Sequence, residues 1–336
     1  MSAMPPFPRH DEARFLSRVL TVAGVFIAVA AVWTLRNLLL LLFGAAVLAT
    51  ALRALAESLE RFGRVPARWS FVLAFALTCG AFAGLAALLG GAFAERADEL
   101  ARQLPDALRS FEAWVGRYDT GRWLLEGMRG LDGADVPWAR LAGYTGVTLT
   151  AAGSVLLLLV MALYLAASPR EYREGLVRFL PERHQDNAGR MLQSVERSLR
   201  RWLLAQLMSM TFLGVSTAAG LALLGVPLAL SLGVTTALAA FVPFFGALAA
   251  GALSVLFGFL EGPATALYVA LLFVGLQQVE EYVLQPVVQR WSVRVPPVAG
   301  LVATVAWSVL FGLPGLLLSG PLTVAAAVIA VRVRDA

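Results

Sequence analysis

Residues 228–260 read LALSLGVTTALAAFV, then PFFG, then ALAAGALSVLFGFL: an apolar arm Leu228–Val242, a break Pro243-Phe244-Phe245-Gly246, and a second apolar arm Ala247–Leu260. Each arm has about 15 residues, about 22 Å as a helix, against a hydrocarbon core of roughly 30 Å. The break holds no charge that would mark a water-exposed loop. Two short apolar arms around an uncharged Pro-containing break read as a re-entrant helical hairpin. The backbone groups freed at its tip must then be satisfied by protein or by a water-filled cavity.

The surroundings support this reading. From Leu203 to Val331, 129 residues, the charged side chains are Glu261, Glu280, Glu281, Arg290 and Arg294. This half is therefore mostly immersed. Its end repeats the pattern: Pro297–Phe311, then Gly312-Leu313-Pro314-Gly315, then Leu316–Val331. Gln206 and Gln277 are 71 residues apart, Pro227 and Pro297 are 70 apart, and Pro243 and Pro314 are 71 apart. These spacings fit one unit, a span followed by a broken hairpin, used twice. If the segment from Thr265 to Val279 crosses the membrane, the two hairpins enter from opposite sides, the inverted repeat of alternating-access transporters. An even number of crossings is also compatible with ten full spans; the short arms favour hairpins.

Composition sets the class. Of 336 residues, 59% are AVILMFWYC and 15% are charged, with mean hydropathy +0.75; soluble domains run at about 45–50% and about 25%. A soluble enzyme is excluded. All 27 basic residues are Arg, so Schiff-base lysine chemistry is excluded too. A net charge of +5 would raise nucleic acid as a partner in a soluble protein. Here the arginines lie between apolar runs and read as orientation signals. The single cysteine, Cys79, allows neither an intramolecular disulfide nor a thiolate metal cluster.

In the N-terminal half, apolar runs cover Val19–Trp33, Leu38–Leu52, Phe71–Phe93 and Val147–Ala167. The first follows Arg9, Arg14 and Arg18 and reads as an uncleaved span rather than a signal peptide, because the next run begins just after Arg36-Asn37. Between the third and fourth runs, Leu100, Leu104, Leu108 and Phe111 recur at helical spacing in a polar stretch, an amphipathic helix outside the hydrocarbon. The segment Arg53–Arg68 carries four Arg and two Glu, and Ser168–Trp202 eight Arg and five acids. Both are placed in the cytoplasm, together with both termini. Glu95–Arg140, with seven Arg and nine acids, is placed outside. The region from Pro169 to Arg201 is expected to be a solvated helical pair resting on the membrane surface.

The expected fold is therefore an all-α polytopic membrane protein with about six to eight transmembrane helices, two broken or re-entrant hairpins in the C-terminal half, and a pattern fitting an inverted repeat. The divisions are helices one to three over 1–94, the amphipathic segment 95–143, a fourth helix over 144–167, the charged segment 168–202, and a transport core over 203–336.

The candidate site follows from the most polar patch of the immersed half, Gln277-Gln278-Val279-Glu280-Glu281, ending at Gln285-Pro286. On a helix Gln277 shares a face with Glu280 and Glu281, and Pro286 ends or kinks the helix. Ionisable groups at membrane depth mark pathways or proton relays. The structural alternative is that Glu280 and Glu281 pair with Arg290 or Arg294 at the interface. Gln206 and the tip residues Pro243, Gly246, Pro314 and Gly315 complete the candidate solute or ion site. Ser209, Thr211, Ser231, Thr235 and Thr236 read mainly as helix-packing residues. Walker A, HExxH and GxSxG motifs are absent, so the chain reads as a non-enzyme without a cofactor, with H+ or Na+ as candidate coupling ion.

Taken together, Gly225-Val226-Pro227, Val242-Pro243-Phe244-Phe245-Gly246, the run from Gln277 to Pro286, Phe311-Gly312-Leu313-Pro314-Gly315 and Pro321 resemble the autoinducer-2 exporter family, the PerM-like permeases of bacteria and archaea. The similarity extends to Leu163-Tyr164-Leu165, Leu180-Pro181 and the stretch from Arg201 to Gln206. It implies a multi-pass inner-membrane protein, commonly of eight segments, forming a homo-oligomer. Export of autoinducer-2 is associated with the family, and sodium/proton antiport with some members. Two positions depart from the pattern: Ala247 where a Pro often follows the tip glycine, and Pro296 where a His often precedes Pro297. The second puts proton coupling at that position in doubt. The leading expectation is a secondary transporter of a small polar solute. The alternatives are a cation/proton antiporter using Glu280 and a non-transporting membrane scaffold.

Overall fold

A computed structural model describes residues 30, 33–63, 65–87, 93–117, 149–284 and 296–334. Most of the first apolar run, much of the outer segment, and Gln285, Pro286, Arg290 and Arg294 lie outside the described residues. The described chain is helical, without a strand. Its helices are α1 (Arg36–Gly63), α2 (Ala67–Ala87), α3 (Phe93–Val115), α4 (Leu149–Ala167), α5 (Pro169–Arg178), α6 (Glu182–Leu223), α7 (Ala229–Ala239), α8 (Phe245–Gly258), α9 (Pro263–Val279), α10 (Pro297–Leu317) and α11 (Ser319–Arg334), with a π turn at Glu280–Leu284 after α9.

Two helices outlast their apolar runs. α1 continues from the run Leu38–Leu52 to Gly63, and α6 runs unbroken for 42 residues across the change from charged to apolar sequence at Trp202. Charge ends a hydropathy run but not a helix. No Gly or Pro lies between Gly44 and Gly63, or between Gly189 and Gly214, so nothing interrupts the hydrogen-bond ladder. The charged half of α6 is thus a coaxial extension of the apolar half, not the second member of a pair lying on the surface. α5, by contrast, turns by 90° from α4.

Among the described residues, four helices are long and apolar enough to cross a membrane: Arg36–Arg61, Glu182–Leu223, Pro263–Leu284 and Val298–Leu317. The bent pair Gly153–Ala167 and Pro169–Arg178 gives a fifth if counted as one span. The last of the four is broken at Gly312, whose φ of 66° and ψ of −146° leave the helical region. α7 and α8, with 11 and 14 residues, reach about 16 and 21 Å. They form the first hairpin. The arm Pro297–Phe311, with the helix that resumes after Gly312, forms the second.

α6 is the wall on which both hairpins lean. Its C-terminus closes by a Schellman motif: Val226 N–H donates to the Leu221 carbonyl at 3.0 Å, Gly225 N–H to that of Ala222 at 3.2 Å, and Gly225 takes φ 72°. Leu221 and Val226 then join Leu232, Phe257, Val269 and Phe273 in a buried cluster shared by α6, α7, α8 and α9. Further along, α6 and α7 touch backbone to backbone. A Cβ on Gly214 would lie 2.6 Å from that of Ala237, and one on Gly233 would lie 2.5 Å from that of Ala218. Between apolar helices in lipid, such close approach supplies the van der Waals contact that holds them together. The same device joins α1 to α4, where Ala45, Ala49 and Leu52 meet Ala162 and Ala166. Val47, Leu199 and Val324 bind α1, α6 and α11. At the far end of the first hairpin, Phe111 and Trp114 of α3 close on Phe259 at ring distances of 5.3 and 5.6 Å.

The tip of the first hairpin tolerates no side chain at Gly246, where a Cβ would fall 1.7 Å from the Ala239 carbonyl oxygen. Gly275, four residues before the end of α9, has nothing within 4 Å of such an atom. Gly246→Ala is expected to cost about 3 kcal/mol or more and to lower the thermal midpoint of the detergent-solubilised protein. Gly275→Ala should leave that midpoint unchanged or raised, since alanine is favoured over glycine in a helix by up to about 1 kcal/mol. A midpoint equal for Gly246→Ala and wild type would show that the tip is not built on this contact.

Candidate functional site

Where α7 ends, its last carbonyls lose their partners in the helix. Ala240 is the C-cap, and its carbonyl is met by Gln206 of α6, whose Nε2 donates at 2.6 Å. A carbonyl can only accept, so the amide of Gln206 must present its nitrogen here. The rest of the tip folds on itself: Phe241 N–H donates to Leu238, Val242 N–H to Ala239 and Gly246 N–H to Val242. Phe244 opens α8 with φ 65°. Its ring lies over Gly300 of α10, where a Cβ would come to 3.3 Å.

Trp202, one turn before Gln206 on α6, wedges the same tip from the other side. Its ring meets Phe241 edge-on at 6.0 Å. It also lies flush on Gly320 of α11, where a Cβ would be 2.3 Å from its ring. The first tip is therefore held by α6 and α10, with α11 behind Trp202.

Ser209 follows Gln206 by three residues, hence on a neighbouring face of α6. Its hydroxyl donates to Glu280 Oε1. Glu280 begins the π turn, an i→i+5 widening of the helix that recurs at functional sites. Pro286, with no N–H to give and a ring that clashes one turn back, is the sequence reason for a helix disturbed at this point. Gln277 is half-buried one turn earlier, whereas Gln278 and Glu281 are exposed. Among the described residues neither Glu280 nor Glu281 has an arginine partner. The expected partners Arg290 and Arg294 lie outside those residues.

The second tip is built like the first. Gly312 carries the positive φ, Pro314 is exposed and Gly315 buried, and a Cβ on Gly315 would lie 2.2 Å from the Trp307 carbonyl oxygen. Trp307 Nε1 donates to Thr323 Oγ1 at 3.2 Å, joining the two arms. The second tip is tied to this region through Gly320, five residues after Gly315, which lies on Trp202. No hydrogen bond among the described residues links it to Gln206 or Glu280.

The structure thus brings together Gln206, the tip around Pro243 and Gly246, and Glu280, with Gln277 one turn from the carboxylate. Pro314 and Gly315 have no hydrogen bond to this group among the described residues, and Gln278 and Glu281 are exposed. Ser209, read from sequence as a packing residue, is the group that holds Glu280. Its distance from Glu280, 71 residues, repeats the Gln206–Gln277 spacing, and extending that spacing by one turn would have singled it out. Thr211, Thr235 and Thr236 donate to carbonyls four residues back in their own helices, each at 2.8 Å, in keeping with packing. Trp202, Gly300 and Gly320 left no local signal. The assembled groups are a carboxylate, a hydroxyl and carboxamides. These hard oxygen and amide donors can take up a proton, a sodium ion or a hydroxyl-bearing solute.

The family model described as AI-2E family transporter matches residues 21–334. The chain is 30% identical over 256 residues, 70% of its length and 68% of the relative's, to a Mycobacterium tuberculosis protein named "Putative transport protein MT0215". It is 21% identical over 275 residues, 77% of its length and 74% of the relative's, to "Putative transport protein YueF" of Bacillus subtilis. With two broken hairpins leaning on one long helix, and a family match that spans nearly every residue, the chain belongs to the AI-2E family of membrane transporters.

Proposed function

We propose that the protein is a secondary transporter that exports a small polar solute, with autoinducer-2 as the default substrate of its family, through a site between the first hairpin tip and the π turn. The observation that carries this reading is the pair of contacts on adjacent turns of α6: Gln206 to the tip carbonyl of Ala240, and Ser209 to Glu280. One helix holds a broken hairpin with one side chain and a carboxylate with the next.

Alternating access is supported by the inverted-repeat pattern. Ser209 and Glu280 are 71 residues apart, the same offset as Gln206 to Gln277 and Pro243 to Pro314. They occupy equivalent places in the two units, and equivalent residues that touch each other lie beside the axis relating them. Transporter sites sit at such repeat interfaces. The arginine-rich end of α6 marks the cytoplasmic side.

A second reading is favoured by the carboxylate of Glu280, held by the Ser209 hydroxyl at the head of the π turn: a cation/proton antiporter in which Glu280 exchanges a proton for sodium. Reconstitution into liposomes with imposed proton and sodium gradients separates the two. Glu280→Gln keeps an acceptor for Ser209 but removes the charge, and should lower flux about tenfold, as expected for the difference of about 1–1.5 kcal/mol between a charge-assisted and a neutral hydrogen bond. Solute flux that survives Glu280→Gln and ignores both gradients would remove the antiporter. If a folded, inserted protein moves neither solute nor ions, the transport reading fails and the scaffold stands. The re-entrant arrangement has its own check. In a Cys79→Ala background, Pro243→Cys and Pro314→Cys should react with a membrane-impermeant maleimide far more slowly than Glu261→Cys, which lies in an exposed loop; equal rates would rule out re-entrance.

A further inference from the structure

Away from the hairpin tips, the charged stretches of α1 and α6 and the bent helix α5 line a half-open cavity of about 260 Å3. Five guanidiniums line it: Arg53 from α1, Arg170 and Arg173 from α5, and Arg197 and Arg200 from α6, against the two carboxylates Glu57 and Glu196. Both carboxylates are already engaged. Arg200 Nη1 lies 2.6 Å from Glu57 Oε2, and Arg173 Nη1 lies 3.6 Å from Glu196 Oε2. Arg197 gives its Nε to the Gln193 carbonyl. That leaves Arg53, Arg170 and Arg197 converging from three helices without an acidic partner among the described residues.

Three like charges around one cavity repel one another until an anion enters. Guanidinium forks match the oxygens of a phosphate in pairs. The setting narrows the class further. α5 stands at 90° to the apolar helix α4, so it lies along the membrane surface if α4 crosses. Tyr172, Leu176 and Phe179 follow at i, i+4 and i+7 and are 46%, 58% and 90% exposed. They form an apolar ridge on the side of α5 away from Arg170. An amphipathic helix of this kind sits at the boundary between headgroups and acyl chains, and basic pockets beside membrane helices take lipid headgroups.

We propose that this cavity is a binding site for a phosphate or phosphodiester group, with the ridge of α5 favouring a phosphodiester that belongs to an anionic phospholipid. The occupant ties α1, α5 and α6 together at one end of the wall that carries the hairpins.

The test uses the full-length purified protein in detergent, with short-chain phosphatidylglycerol, short-chain phosphatidylcholine and inorganic phosphate as probes, read by thermal midpoint and by native mass spectrometry. Phosphatidylglycerol should raise the midpoint by several degrees and remain bound, while phosphatidylcholine does neither. The triple variant Arg53→Gln/Arg170→Gln/Arg197→Gln, which spares both ion pairs, should lose the shift. If the triple variant does not accumulate, Arg170→Gln alone should at least halve the bound phosphatidylglycerol, and Arg61→Gln, outside the cavity, should not. Inorganic phosphate that reproduces the shift and displaces the lipid would assign the site to a soluble phosphate. Inorganic phosphate without effect assigns it to the lipid. Equal binding of the two lipids, or equal shifts in wild type and the arginine variants, would overturn the proposal.

Discussion

A helix that stops inside an apolar medium leaves carbonyls with nothing to bond, and each costs several kcal/mol if left so. As the re-entrant hairpin proposed above, the first hairpin lives under that constraint, and Gln206 meets it at Ala240. Much else is arranged so that Gln206 can reach. α6 must run past the tip, its backbone must approach α7 closely enough to set the two in register, and the tip must close within its own turns. Gly214 and Gly233 provide the approach and Gly246 the closure. A polar side chain in this core is therefore not a sign of chemistry by itself; Gln206 serves the backbone first, and Glu280 is held by the Ser209 hydroxyl.

The second hairpin meets the same constraint with other means. Its break falls at a glycine rather than at a bulky residue, and the arms are joined by an indole-to-hydroxyl bond between Trp307 and Thr323. Pro314, two residues beyond the break, sits where the resumed helix needs no N–H from it. Two tips with a positive φ followed by a buried glycine pressed on a carbonyl of the preceding arm are one solution written in two sequences.

The breaks were legible because proline and glycine interrupt a helix for reasons internal to the residue. Pro243–Gly246 and Gly312–Gly315 could be placed to within a few positions without any knowledge of neighbours. Helix length was less legible at α1 and α6, since hydropathy tracks where water is and the backbone ladder does not. Arg53 and Arg201 border apolar runs yet stand in mid-helix. Contacts between distant segments were least legible. Trp202 on Gly320 joins residues 118 positions apart, and neither residue type reveals its partner. Ser209 stands between these cases: its residue type was noted, and only the 71-residue offset linked it to Glu280.

The aromatic contact of α3 with Phe259 has a mechanical consequence. The first hairpin is mounted at two places, near Phe259 on Phe111 and Trp114 and at its tip on Gln206 and Trp202, about 20 Å apart along α8. A beam fixed at both ends cannot swing as a door does. It can travel with its supports as one rigid block, or it can be released at one mount. Under the proposed alternating access, the sliding surface would lie outside that block, along the seam where Phe244 rests on Gly300 and where α11 passes Trp202.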